Sequence, residues 1–256
     1  MVICKKNIGI DYLYELATEE GEGFGTAYEY FVKINLLNNL LAGREIRNIL
    51  IAGLPEKYGF GLDALLFAQL CKSSVFNVDE RSEVLDKFMQ LQSVLRTKNL
   101  LSIEKMEISH IGDFGNLKLD RHFDIAISCA VVQRIKKEAR YKYINQLFDS
   151  SDSAIIYAPN NGNSAHLEIT GLSSISKAEA LLWCTNLKGH TVCRKIGFID
   201  MPPFPPGVKT VVASRKRNLG LKKFICKGLE AWYYLDSALP ELFKRRFSHI
   251  IYLYAN

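Results

Sequence analysis

Apolar residues fall into two rhythms along the chain. Tyr30, Phe31, Ile34, Leu37, Leu40 and Leu41 recur at three- and four-residue spacing, which predicts a helix over 27–41 that Thr26 caps and Gly43 ends. Residues 1 to 25 are polar, with glycine at 21, 23 and 25, and read as a flexible lead-in. From position 48 onward, short solid apolar runs alternate with helix-spaced segments. The runs at 48–52 (NILIA), 74–78 (SVFNV), 102–108, 123–129 (FDIAISC) and 154–158 (AIIYA) predict buried strands. Helices are expected over 62–70, 83–95 and 137–148. A helix over 177–187 then leads to strands at 194–199 and 210–214 (TVVAS), joined by a proline-rich turn without a helix.

Strand–helix alternation implies right-handed crossovers and a parallel sheet covered on both faces. The expected fold is therefore α/β: a doubly wound, mostly parallel seven-stranded sheet with an antiparallel terminal hairpin, an N-terminal helix and a C-terminal helical extension. Three parts follow: a helical lid or cap over 1–46, a sheet domain over 47–217, and a basic extension over 218–256. Ligands on such sheets bind at the carboxyl ends of the strands where strand order reverses.

Composition changes this picture at few points. With 256 residues, 48% hydrophobic and 23% charged, the chain can bury a sizeable core, and disordered or fibrous classes are excluded. The net charge of +6 is local: residues 214–256 hold nine Lys/Arg and three Asp/Glu, leaving 24 of each sign before them. Six scattered cysteines without a CxxC pair fit a reducing interior, so a cytoplasmic location is expected. The first apolar run is too short for a signal-peptide core, and no run approaches the ~20 residues of a membrane span. Cys184, His190 and Cys193 lack a fourth ligand at zinc-like spacing, so no metal is expected.

Chemistry is sought in the loops after the strands. The first strand runs into Gly53-Leu-Pro-Glu56-Lys-Tyr-Gly59-Phe-Gly61 and then a helix. Glycines let backbone approach a ligand, and the helix start offers free N–H groups. No Gly-Lys-Ser/Thr ends the loop, so it is not a P-loop. Asp79 closes the second strand, eighteen residues past Gly61, where a carboxylate can accept from both hydroxyls of a ribose or cap a helix. Gly112-Asp113-Phe114 follows the third strand, and Phe123-Asp124 opens the fourth.

These four features in this order resemble class I S-adenosylmethionine-dependent methyltransferases over about residues 48–214, making the middle part a Rossmann-like domain. The resemblance implies S-adenosylmethionine as cofactor, with Gly53, Gly59 and Gly61 against its methionine part and Asp79 on its ribose. It also implies Asp113 on the adenine amino group, Phe114 beside the ring, and Ser128, Cys129 and Ala130 facing cofactor and acceptor. The sequence departs from the family at Ile51, where an acidic residue is usual; Glu56 in the lengthened loop is an alternative acid. Ser128-Cys129-Ala130-Val131 stands where amino-group methyltransferases of adenine and glutamine carry Asn/Asp-Pro-Pro-Phe/Tyr, which disfavours that acceptor type. A nicotinamide enzyme is disfavoured by the terminal hairpin.

Acceptor residues are read from the same sheet edge. His166 titrates near neutrality when unperturbed, and is a candidate base or a surface histidine. Asn160 and Asn161 orient a substrate or shape a turn. Met201 and Phe204 in the stiff proline turn form an acceptor wall or a hairpin cap. Tyr28 and Tyr30 serve as a cofactor lid or pack internally. In the tail, amphipathic helices over 219–236 and 240–254 carry Lys222, Lys223, Lys227 and Lys244-Arg245-Arg246 beside apolar stripes. They dock on the domain, form a homodimer, or lie on anionic lipid as a peripheral membrane contact. Nucleic acid is the least expected partner. The reading is a methyltransferase for a small-molecule or lipid-like acceptor; the alternative is a non-catalytic binding module that recruits a partner through its C-terminal helices.

Overall fold

Where a flexible lead-in is expected, the chain forms helix α1 (Ile10–Glu19). A computed structural model describes residues 8–55, 57–186, 194–204 and 219–256. The α1 face is legible in retrospect: Ile10, Leu13, Leu16 and Ala17 are all buried and fall at helical spacing. Helix α2 (Phe24–Leu40) begins with Gly23 as its N-cap, so Thr26 lies inside the helix rather than capping it. Phe24, Ala27, Tyr28, Tyr30, Ile34 and Leu37 are buried around α2, which is enclosed by protein on most sides.

The predicted alternation then follows: β1 (Asn48–Ala52), α3 (Leu62–Cys71), β2 (Ser74–Asp79), α4 (Ser82–Thr97), β3 (Met106–His110), β4 (Ile125–Cys129), α5 (Lys137–Asp149) and β5 (Ala154–Pro159). After β5 come α6 (Ser164–Thr170), which the sequence pattern does not announce, α7 (Lys177–Asn186), β6 (Arg194–Ile199), α8 (Leu219–Ala238), α9 (Glu241–Phe247) and β7 (Ile250–Ala255). The strands form one sheet in the order β3-β2-β1-β4-β5-β7-β6. β1 to β5 pair in parallel, and β7 is antiparallel to both β5 and β6.

The seven-stranded, mostly parallel sheet with an antiparallel end is as expected, but a different segment supplies the antiparallel strand. The expected strand over 210–214 lies outside the described residues. β6 pairs instead with β7, in the segment expected to continue a helix to 254. That helix stops at Phe247, and Ser248 turns extended (φ −68°, ψ 143°). The run Ile250-Ile-Tyr-Leu-Tyr-Ala255 is solidly apolar and rich in strand-favouring side chains, and the slot between β5 and β6 satisfies its backbone on both edges.

Alternate strand residues enter two cores. Ile49, Ile51, Ile125, Ile127, Ile155 and Tyr157 face α1 to α4 and α8, whereas Leu50, Ala52, Ala126, Ile156 and Ala158 face α5 and α7. Strand order reverses between β1 and β4, so the crevice that the topology offers to a ligand lies above Ala52 and Cys129.

Candidate functional site

Two regions flank this crevice, and they differ. On the β2 side, Asp79 is fully buried and engaged by protein. Its Oδ2 accepts from Leu54 N at 2.7 Å, its Oδ1 from Arg81 Nε at 2.8 Å, and Arg81 Nη2 reaches Oδ2 at 2.9 Å. Arg81 is held further by the carbonyl of Leu54, 2.8 Å away, and Arg134 Nη2 lies 3.7 Å from Asp79. Burial raises the carboxyl pKa, but Arg81, the Leu54 amide and Arg134 outweigh it, so Asp79 is an anion below the usual range.

Gly53 has φ +89°, and a Cβ there would lie 2.5 Å from Val131 Cγ2 and 2.7 Å from Phe114 Cζ. Phe114 is wholly buried, edge-on to Tyr143 with ring centroids 5.4 Å apart, and serves as core on that side. Asp113 is exposed, and its carboxylate accepts from Gly115 N and Asn116 Nδ2, capping a one-turn 3-10 helix. The two carboxylates expected to share a nucleoside therefore face different surroundings. Ser128 is also buried away from any opening, hydrogen-bonded to the Tyr143 hydroxyl at 2.8 Å.

On the β4–β5 side the sheet edge is open. A cavity of about 330 Å³ lies over the carboxyl ends of these strands, with Cys129 and Ala130 at its base and Tyr157 to Pro159 beside them. The N-terminal part of α2 with the turn before it contributes Gly21, Glu22, Gly23, Gly25, Thr26 and Glu29; the loop after β1 contributes Pro55, Lys57 and Tyr58. His166 and Ile169 of α6 close another side, and Asp200, Pro202, Phe204 and His249 complete it.

Below the cavity sits a buried ionic cluster. Lys33, without solvent exposure, donates to Glu29 and to Cys129 Sγ at 3.0 Å. Burial lowers the Lys33 pKa, but Asp63, the Cys129 sulfur that accepts its hydrogen bond, and Glu29 outweigh it and keep the ammonium protonated. Burial pushes both Glu29 and Asp63 upward against the pull of that ammonium. Burial likewise raises the Cys129 thiol to about 11, so it is neutral at pH 7 and no ready nucleophile. Glu29 is an acidic side chain in the cavity wall, whereas Ile51 is buried in the core; Glu56 lies outside the described residues.

At the far wall His249 Nδ1 lies 3.0 Å from Asp200 Oδ2, and the His166 and His249 rings stack with centroids 4.0 Å apart. Asp200 sits in the left-handed region at φ +63°, unusual for a residue with a side chain. Burial, and then His249, push the His166 pKa down to about 4, so its ring is neutral at pH 7. Burial lowers His249 too, but Asp200 by charge and hydrogen bond, with Glu29, holds it above the ordinary histidine value.

Of the residues expected at the site, Cys129, Ala130, His166 and Phe204 line the cavity. Others turn elsewhere. Tyr28 is wholly buried and its hydroxyl donates to Asp236 on α8 at 3.1 Å, so it packs rather than acting as a lid. Tyr30 donates to Glu20 at 2.5 Å. Asn160 donates to the carbonyls of Arg245 and Ser248, pinning the approach to β7, and Asn161 donates to Ser174 on the exterior. The Met201 carbonyl accepts from Trp232 Nε1 at 2.6 Å, and its side chain lies outside the cavity. Gly59 and Gly61 keep left-handed φ of +78° and +70° and shape the loop and the start of α3. Glu29, Asp200 and His249 carry no motif in the sequence, and His249 falls in the segment expected to be an amphipathic helix.

No protein-family model matches the sequence, and no curated protein matches it. Solved structures match it in fold. A SAM dependent methyltransferase from Archaeoglobus fulgidus aligns with a TM-score of 0.50 and 14% identity over 87% of this chain and 92% of that one. The methyltransferase domain of bacterial-CtHen1-CN aligns with a TM-score of 0.55 and 10% identity over 91% and 99%. The chain has the class I S-adenosylmethionine-dependent methyltransferase fold. A third neighbour with this fold, the small RNA methyltransferase HEN1, gives a TM-score of 0.52 at 9% identity over 88% of this chain and 25% of that one. Among the described residues, no helix is long and apolar enough to cross a membrane.

Proposed function

We propose that the chain is an S-adenosylmethionine-dependent methyltransferase acting on a small-molecule acceptor. The observation that carries this reading is the open cavity beside the topological switch point of a methyltransferase-type sheet, with Cys129 and Ala130 beneath it and the Glu29 carboxylate in its wall. S-adenosylmethionine, when bound, supplies a methyl group on a positively charged sulfur. Glu29 and the Gly21–Gly25 backbone stand where they can hold its amino-acid part. Asp79 is the ribose acceptor that the fold offers, and it becomes available when Arg81 leaves it. The cavity's contribution to the reaction is proximity and alignment, worth up to ~7–11 kcal/mol in well-oriented systems.

Titration calorimetry with S-adenosylmethionine and S-adenosylhomocysteine tests the cofactor assignment. Saturable binding weakened by Glu29→Gln supports it; absence of binding to both wild type and Arg81→Ala overturns it and returns the non-catalytic reading. We also assign peripheral membrane contact to the C-terminal helices. Phe224 of α8 and Leu242 of α9 are each 76% exposed, and Lys223, Arg245 and Arg246 are exposed on the same helices. Exposed apolar side chains with cations suit an anionic lipid surface.

A further inference from the structure

We infer that His249 is the catalytic base of this cavity, that Asp200 positions it, and that the acceptor is an acidic hydroxyl compound, a phenol or an enol. This rests on the methyl-transfer reading above and names the acceptor chemistry for the same site. Three independent features converge on His249. Its ring lines the cavity. Its Nδ1 is tied to Asp200 Oδ2 at 3.0 Å, which fixes the neutral tautomer with the proton on Nδ1 and the lone pair on Nε2. Its backbone is clamped on both sides, His249 N donating to the Asp200 carbonyl and the His249 carbonyl accepting from Asn160 N, each at 2.8 Å. Among the described residues Nε2 has no hydrogen-bond partner.

The surroundings are arranged for a proton to arrive there. Asp200 holds a left-handed backbone that a glycine would adopt without strain, and strained residues of this kind collect at functional sites. His166 stacks on His249 with its Nδ1 buried and unpartnered. Because His166 stays neutral, it sandwiches the His249 ring without repelling a developing imidazolium. The charged and titratable groups facing His249 are Asp200, His166 and Glu29, and both carboxylates favour its protonated form.

The step balances simply. The acceptor O–H bond breaks, its proton passes to His249 Nε2, and the electron pair stays on the acceptor oxygen, which becomes the nucleophile. The imidazolium is held by Asp200 and returns its proton to water after product leaves. A phenol resembles tyrosine, with a pKa of about 10, a few units above a histidine held over its ordinary ~6.5; an aliphatic alcohol lies far beyond reach. The apolar and aromatic wall of Tyr157, Phe204, Ile169 and Pro202 suits a planar ring.

The test uses 4-nitrophenol with the full chain and no cofactor, at a pH below the phenol's own titration, where its yellow phenolate band reports ionisation. Wild type is expected to bind it and raise the phenolate fraction at least tenfold over buffer. His249→Asn, which keeps a donor for Asp200, is expected to bind but lose the band, and Asp200→Asn to weaken it. In parallel, NMR titration of the His249 ring is expected to show a pKa that falls in Asp200→Asn. Binding without a phenolate band in wild type, or a band undiminished in His249→Asn, overturns the base. Failure of 4-nitrophenol to bind overturns the acceptor class. A phenolate band in a protein that binds no S-adenosylhomocysteine sinks the methyltransferase reading and leaves the His249 base standing.

Discussion

Arg81 lies across Asp79, with Nε 2.8 Å from Oδ1 and Nη2 2.9 Å from Oδ2, so an arginine of the same chain fills both acceptor positions that a ribose requires. Arg81 follows Asp79 by two residues and its side chain is 22% exposed, so it can swing outward without unfolding the strand. Arg81→Ala is expected to bind S-adenosylhomocysteine about tenfold more tightly, because breaking the pair is no longer part of the binding free energy. It is also expected to lose about 1–3 kcal/mol of stability in urea, since Asp79 keeps only two backbone donors, the amides of Leu54 and of residue 81, and the more distant Arg134. Unchanged or weaker affinity in calorimetry shows that Arg81 does not compete with the ligand.

Lys33 is the only cation among the named members of the cluster beneath the cavity, facing Glu29 and Asp63. Lys33→Met leaves two buried carboxylates without their counter-charge and is expected to cost about 3–5 kcal/mol, read from the urea midpoint. The double variant Lys33→Met with Asp63→Asn should recover part of that loss. If the losses simply add, the three groups do not act as a unit.

Glu20 links α1 to the loop after β1, accepting from the Tyr30 hydroxyl at 2.5 Å and from Phe60 N at 2.8 Å. Burial raises its pKa to about 8 despite those donors. A carboxyl raised on folding is most stabilising when protonated. That contribution is complete below the unfolded pKa near 4.5 and disappears as pH climbs through about 8. Glu20→Gln keeps an oxygen for both donors, so it is expected to raise Tm at pH 9, by an amount equivalent to a few kcal/mol at most, and to change little at pH 4. Equal effects at both pH values remove the burial argument.

Gly197 on β6 faces Tyr252 on β7, and a Cβ there would fall 2.5 Å from the ring. Gly197→Ala is expected to cost about 1–3 kcal/mol through overpacking at the edge of the sheet. Tyr252→Ala in the same background relieves the clash and should restore part of the loss, measured by chemical denaturation. A neutral Gly197→Ala would contradict the register of β6 on β7.

The exposed Phe224 and Leu242 predict vesicle binding. The chain should float with phosphatidylserine vesicles and not with phosphatidylcholine vesicles. Binding should fall at least fivefold in the pair Phe224→Ser with Leu242→Ser, and with rising salt. Equal flotation on both lipids, or none, excludes the electrostatic surface contact.

What the sequence determined by itself is the frame. Apolar runs at 48–52, 74–78, 123–129 and 154–158 declare strands because a strand buried on both faces has little room for polar residues, and the helices between them force a parallel sheet. The positions of Asp79 and of Cys129-Ala130 at strand ends were readable for the same reason. Tertiary structure decided the rest. The run at 250–255 satisfies an amphipathic-helix pattern and a strand pattern alike, and only the gap between β5 and β6 makes it a strand. Whether Asp79 meets a ligand or Arg81 depends on a side-chain rotamer, to which hydrophobic periodicity is blind. Asp200 and His249 are separated by 49 residues and meet because β6 ends where β7 begins; local sequence carries no trace of such a pairing, since the antiparallel register alone creates it.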